Sequence, residues 1–217
     1  IASDVAVQLQ RIAQATVAPD TAAPTTDAAA NPPANANGWN NTNVTVTLTA
    51  NDNANGSGVK QISFSTTGAQ IGSGIVSGDT ASLIIGTEGQ TVVAYHATDN
   101  AGNIETTKTL TVQLDKTPPS ISGMPKAGCE IWPPNHKLVP VATVAANGGL
   151  SGLASFNADV TSSEPASPGQ SDTTTTGSGL DPRSISVRAE RLGNGSGRTY
   201  TLSASAGRVP TPSAFRS

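Results

Sequence analysis

Residues 44–50, VTVTLTA, alternate apolar and hydroxyl side chains without a break. Val44, Val46 and Leu48 fall on one face, and Thr45, Thr47 and Thr49 on the other. A period of two is the signature of a strand with one buried and one wet face. The same alternation returns in VKQISFS, with Ile62 and Phe64 on one face, in TVVAYHATD, and in KTLTVQLD, with Leu110, Val112 and Leu114 together. ASLIIGT is a further short apolar run. Gly and Asn clusters such as NDNANGSG separate most of these segments at roughly ten-residue spacing, the rhythm of an antiparallel sandwich rather than of βαβ units. No segment shows a long helical period.

A second stretch continues the pattern through KLVPVATVA, SFNADVTSS, SISVRAER and RTYTLSASA. A long polar loop, EPASPGQSDTTTTGSGLDP, interrupts it, and loops of that length are either functional or loose. DKTPPSISG (115–123) repeats the logic of DTAAPTTDA (20–28) about 95 residues later, the length of one immunoglobulin-size unit. The predicted organisation is a lead-in over 1–19, a sandwich over 20–116, and a second sandwich over 117–217. The tail from about 207, GRVPTPSAFRS, has two prolines and no clear alternation, so it is expected to be an atypical exit rather than a closing strand. Residues 1–18 fit either a short amphipathic helix or the last strand of a preceding domain.

Composition agrees with thin sandwiches. Hydrophobic residues make up 35% and aromatics 3%, too few for a thick core, while Gly and Pro together (22 plus 15) demand frequent turns. Residues 1–116 hold 4 Lys/Arg against 9 Asp/Glu, and residues 117–217 hold 8 against 6. Neither half carries the basic stripe that nucleic acid requires. No apolar run approaches the roughly 18 residues of a membrane span. Starting at Ile1 with no signal peptide, the chain reads as a processed or excised piece.

CEIWPPNHKLVPV (129–141) gathers the sole cysteine with Trp132 and His136. A structural role is favoured over a catalytic one. Pro133-Pro134 enforces extended backbone, Asn135 suits the following turn, and Trp132 caps a sandwich edge through its indole N–H. His96 and His136, forty residues apart, do not make a zinc site, which wants three or four close ligands. His96 is expected half-exposed on its strand.

Calcium is the one metal worth testing. NDNANG (51–56) begins like an oxygen-rich loop, but the twelfth position from Asn51 is Ile62, so it is no EF-hand. Asp99-Asn100-Ala101-Gly102-Asn103 has the chemistry of a tight turn. The candidate calcium ligands are Asp52, Asp99 and Asp115, with Asp20 available to the same kind of site. Trp39 and Trp132 are the candidate sugar-stacking residues. Asp159 with Glu164, or Asp172 with Asp181, are the candidate acid pairs for a glycosidase, and Glu164 better suits a loop cap or an arginine partner. Arg183, Arg188, Arg191 and Arg198 are expected to form a mild, solvated positive face. Asn40, Asn43, Asn55 and Asn194 head Asn-x-Ser/Thr sites that matter only in a glycosylating host.

Two stretches resemble known families. DTAAPTT (20–26), NGWNNTNVTVTLTANDNANGSGVKQISFS (37–65) and VAYHATDNAGNIETTKTLTVQLDKTPP (93–119) resemble the Ig-like repeats of large secreted and surface bacterial proteins. CEIWPPNHKLVPVATV, SGLASFNADVTSSEP and VRAERLGNGSGRTYTLSASA, within about 117–206, are similar to the WPPNHK-type Ig-like domain that often follows such repeats. The resemblance implies two tandem antiparallel β-sandwiches, the second incomplete at its C-terminus. It implies a non-catalytic spacer, stalk or adhesion module of a larger extracellular or cell-surface protein, with a carbohydrate-binding accessory module of a secreted hydrolase as the alternative. The partners it implies are neighbouring domains of the same chain and a cell-surface or polysaccharide ligand. No cofactor is expected beyond a structural calcium ion. The relatives it points to often close with a strand bearing a cysteine, which would pair Cys129; GRVPTPSAFRS supplies none.

Overall fold

The computed structural model describes residues 19–190 and 197–210. The choice between helix and strand for 1–18 lies outside them, as do Arg191, Asn194 and the tail beyond 210. The fold is all-β, in several antiparallel sheets of β-sandwich type. No helix among the described residues is long and apolar enough to cross a membrane.

The strands run β1 (Thr25–Asn31), β2 (Trp39–Asn40), β3 (Val44–Asn51), β4 (Val59–Gly68), β5 (Gly72–Ser77), β6 (Thr80–Ile85), β7 (Gly89–Asp99) and β8 (Lys108–Leu114). Then come β9 (Ser120–Ser122), β10 (Leu138–Asn147), β11 (Ser155–Ser162), β12 (Thr173–Thr176), β13 (Arg183–Arg188) and β14 (Tyr200–Gly207). Four sheets result, in the orders β1-β3-β6, β2-β8-β7-β4-β5, β12-β13-β10-β9 and β11-β14. The described residues fall into two compact units. One holds residues up to Asn31 with Thr45–Ile85 and Thr91–Thr111, and the other Pro32–Val44, Gly86–Gln90 and residues from Val112 onward.

The alternation read in the sequence is the alternation of burial. Val44, Val46 and Leu48 of β3 are fully buried. Removing each such side chain from water contributes about 1.5–3 kcal/mol. β7 buries every second residue from Thr91 to Asp99, which leaves His96 half-exposed, as its strand phase requires. In the second unit Val144, Phe156, Ala158, Ile185 and Val187 form the core, with Tyr200, Leu202, Ala204 and Ala206 of β14 half-buried against it.

Two local expectations need correction. The long polar loop contains a strand, β12, whose four threonines pair with β13; β-branched residues suit a pleat even without an apolar face. Trp132 does not cap an edge, because it is 81% exposed. Asn135 makes the turn its side chain suits, with Oδ1 accepting from Lys137 N at 3.1 Å. His136 follows in the left-handed region at φ 62°; hydrogen bonds from His136 N to Ala189 O and from Arg188 to His136 O hold that backbone in place. The Trp132-Pro133 peptide is cis. Pro140 lies within β10, and the ladder to β13 shifts register between Pro140 and Ala142, the kind of bulge a missing donor requires.

Candidate functional site

Three loops at strand ends bring Asp20, Asp52 and Asp99 together in the first unit. Asp20 precedes β1, Asp52 follows β3 directly, and Asp99 ends β7. One ligand oxygen from each lies within 4.8 Å of the others. Backbone and amide donors aim the carboxylates. Asp20 accepts from Ala22 N (3.1 Å) and Ser57 N (2.8 Å). Asp52 accepts from Asn53 N (3.0 Å), Asn53 Nδ2 (3.1 Å) and Gly58 N (2.8 Å). Asp99, fully buried, accepts from Asn103 N and Nδ2, both at 2.7 Å. The expected tight turn is present, with Gly102 at φ 95° and its N–H on Asp99 O.

Two unit charges about 4 Å apart repel by roughly 1 kcal/mol in water and roughly 4 at an effective dielectric of 20. Among the described residues, no Lys or Arg forms an ion pair with these three acids. The N–H donors of Ser57 and Ala22 nevertheless lower the Asp20 pKa to about 2, so that it stays charged. An all-oxygen set of carboxylates fits a hard divalent cation such as calcium. The structure thus joins Asp52 and Asp99 with Asp20. Asp115 lies in the second unit with other partners.

Those partners are specific. Buried Asp115 accepts from Ser151 N (2.8 Å), Ser151 Oγ (2.6 Å) and Thr117 N (3.1 Å), and pairs with Arg208 at 3.3 Å. Burial alone would raise its pKa, but Ser151, Thr117 and Arg208 outweigh that and hold it low. Half-buried Trp39 lines a cavity of about 120 Å³ with Asn41, Asp115, Ser151 and Arg208. Trp132, exposed, does not line it.

Arg183, Arg188 and Arg198 do not form a solvated face. The Arg198 side chain is 1% exposed and meets three acids: Glu164 at 3.3 Å, Glu190 at 3.4 Å, and Asp172. Arg188 approaches Asp172 from another side at 3.8 Å, and neither Asp172 oxygen accepts an aligned hydrogen bond. Arg183 is buried too and donates to the carbonyls of Phe156 and Gly179. Sequence alone could not separate a solvated ladder from a buried one, because the acids come from loops far along the chain. Burial disfavours the Arg198 charge, yet Tyr200, Asp172 and Glu164 raise its pKa. His136 joins this network through Nδ1, 3.2 Å from Glu190, and that contact is the first cause of the lowered Glu190 pKa. Asp159 and Asp181 are exposed.

One buried acid escaped the sequence reading. Buried Glu105 accepts from Thr26 N (2.8 Å), Thr26 Oγ1 (2.6 Å) and Ala97 N (3.1 Å), and pairs with Lys108 at 2.8 Å. Lys108 in turn donates to Thr26 O at 2.8 Å. Burial would raise the Glu105 pKa, but Lys108 and Thr26 lower it. The one available signal was an acid three residues before a lysine in NIETTK, too common a pattern to single out.

No family model matches the chain, and no curated protein sequence matches it.

Proposed function

We propose that this chain is a non-catalytic spacer, stalk or adhesion module of a larger secreted or surface bacterial protein, built from tandem Ig-like sandwiches. One observation carries it: three buried charged side chains, Glu105, Asp115 and Arg198, tie together segments distant in sequence. Glu105 holds strand β1 to β7, Asp115 holds the 151 loop and Arg208, and Arg198 draws in residues 164, 172 and 190. Ionic groups locked in this way resist separation of the segments they join. The test is to stretch single molecules between their two ends. Discrete cooperative unfolding steps are expected; smooth extension at low force contradicts the proposal.

The same proposal includes a structural calcium ion on Asp20, Asp52 and Asp99, whose mutual repulsion it would relieve. Extracellular calcium modules bind at about 10⁻⁴–10⁻³ M. Calcium at roughly 100 times its dissociation constant stabilises by about 2.7 kcal/mol, a melting shift on the order of 10 °C for a unit of this size. Melting in calcium against melting in a chelator reads this directly, and Asp99→Asn is expected to abolish the difference.

Carbohydrate binding is the second reading, favoured by exposed Trp132 and by the cavity beside Trp39. It predicts that polysaccharides shift tryptophan emission; unchanged emission across a polysaccharide panel removes its support.

A further inference from the structure

The second unit sets a four-stranded sheet, β12-β13-β10-β9, beside a sheet of only two strands, β11 and β14. Two-stranded ladders are marginal, and three or more strands with an apolar face are the stable size. Ser163 N donates to Thr199 O, so positions 163 and 199 form a hydrogen-bonded pair. The antiparallel register runs from Ser155↔Gly207 to Ser162↔Tyr200. By the alternation of such ladders, Thr201, Ser203 and Ser205 turn their backbone groups toward β11. Tyr200, Leu202, Ala204 and Ala206 therefore turn theirs outward. Their side chains are the ones only half-buried against the core. Among the described residues, β14 has no backbone partner strand besides β11.

Sheet edges are ordinarily protected by charge, proline, a bulge or shortness. Among the outer strands β1 carries Asp27, β11 carries Asp159, and β2, β9 and β12 span four residues or fewer. β5 and β6 carry no charge and have six residues each, whereas β14 has eight, YTLSASAG, and is the longest outer strand without a charge.

We propose that β14 pairs antiparallel with β14 of a second copy of this chain. Self-pairing is penalised when like charges come to face each other, and β14 has none to oppose. Its flanking arginines are already neutralised, Arg198 by Asp172, Glu164 and Glu190, and Arg208 by Asp115. The outward residues fix the register. Leu202 of one copy faces Ala204 of the other, and Tyr200 faces Ala206, with the two-fold axis at Ser203. That pairing uses every outward donor and acceptor of the strand and yields a continuous four-stranded sheet, β11-β14-β14-β11. The contact is isologous and closed, so it yields a dimer rather than a fibre.

The register makes the test sharp. Ser203 meets its own copy in a non-hydrogen-bonded pair, with Cα atoms about 4.5 Å apart, inside the roughly 4.4–6.8 Å range of disulfides. In a Cys129→Ser background, Ser203→Cys is expected to oxidise to a covalent dimer as the main product. Ser205→Cys, which faces Thr201 of the other copy, is expected to remain largely uncrosslinked. The unmodified chain is expected to sediment at twice its monomer mass. Ser203→Lys, a change on an exposed side chain, is expected to return it to monomer with its far-ultraviolet circular dichroism unchanged and its melting temperature no longer dependent on concentration. A chain that stays monomeric at high concentration, or that crosslinks as well from position 205 as from 203, overturns the proposal.

Discussion

Glu105 shows what a single buried carboxylate does here. It is 7% exposed and accepts from two backbone N–H groups and one hydroxyl while pairing with Lys108. Hydrogen bonds to a charged group are worth about 1.5–3 kcal/mol net. Glu105→Gln keeps the shape but loses the charge and one acceptor oxygen. It is expected to destabilise the chain by about 2–3 kcal/mol, measured by urea denaturation. The same group sets a pH dependence. The Glu105 and Asp115 pKa values lie below their ordinary 4.5 and 3.8. Each therefore contributes stability that is complete above those values and is lost as pH falls below them. The melting temperature is expected to decline as pH drops below about 4.5, and less steeply in Glu105→Gln.

At the scale of elements, alternation and turn composition determine the course of the chain, and both were legible. VTVTLTA became β3, TVVAYHATD β7 and KTLTVQLD β8 with little adjustment. The strands that escaped notice lack an apolar stripe: β5 begins Gly72-Ser73-Gly74, and β12 is four threonines. Gly74 is needed there, because a Cβ at this position would lie 2.6 Å from the Phe64 ring on the paired strand. The acidic site was half legible. Asp52 and Asp99 announced themselves through their turns, but that Asp20 joins them and Asp115 does not depends on pairings across the chain that no local pattern encodes. Gly123, just after β9, tests the packing of the second unit. It sits at φ 78°, and a Cβ there would lie 1.9 Å from Thr143 O. Both the conformation and the space exclude a side chain. Gly123→Ala is expected to cost about 2 kcal/mol or more, read as a lower urea midpoint with an unchanged slope.

Across the molecule, polar groups play the part that aromatic bulk plays in thicker domains. With 3% aromatic residues, each unit has a narrow core and supplements it with buried ion pairs. The Arg198 network illustrates the cost of this arrangement. Asp172, Glu164 and Glu190 face Arg198 and Arg188, so these five groups carry a net charge of −1 (−3 plus +2). Arg198→Met removes the centre and leaves three acids around an apolar side chain. Breaking a buried pair costs about 3–5 kcal/mol, and Arg198→Met is expected to unfold the second unit at correspondingly lower denaturant. The most direct measurement of whether buried charge ties the chain together is amide hydrogen exchange at Thr26 and Ala97, in the native chain and in Glu105→Gln. Slow exchange at both amides is expected in the native chain, with selective acceleration in the variant while the amides of β3 stay protected. Equal protection in the two proteins would mean that Glu105 does not hold β1 to β7, and that the buried charges are not the ties proposed here.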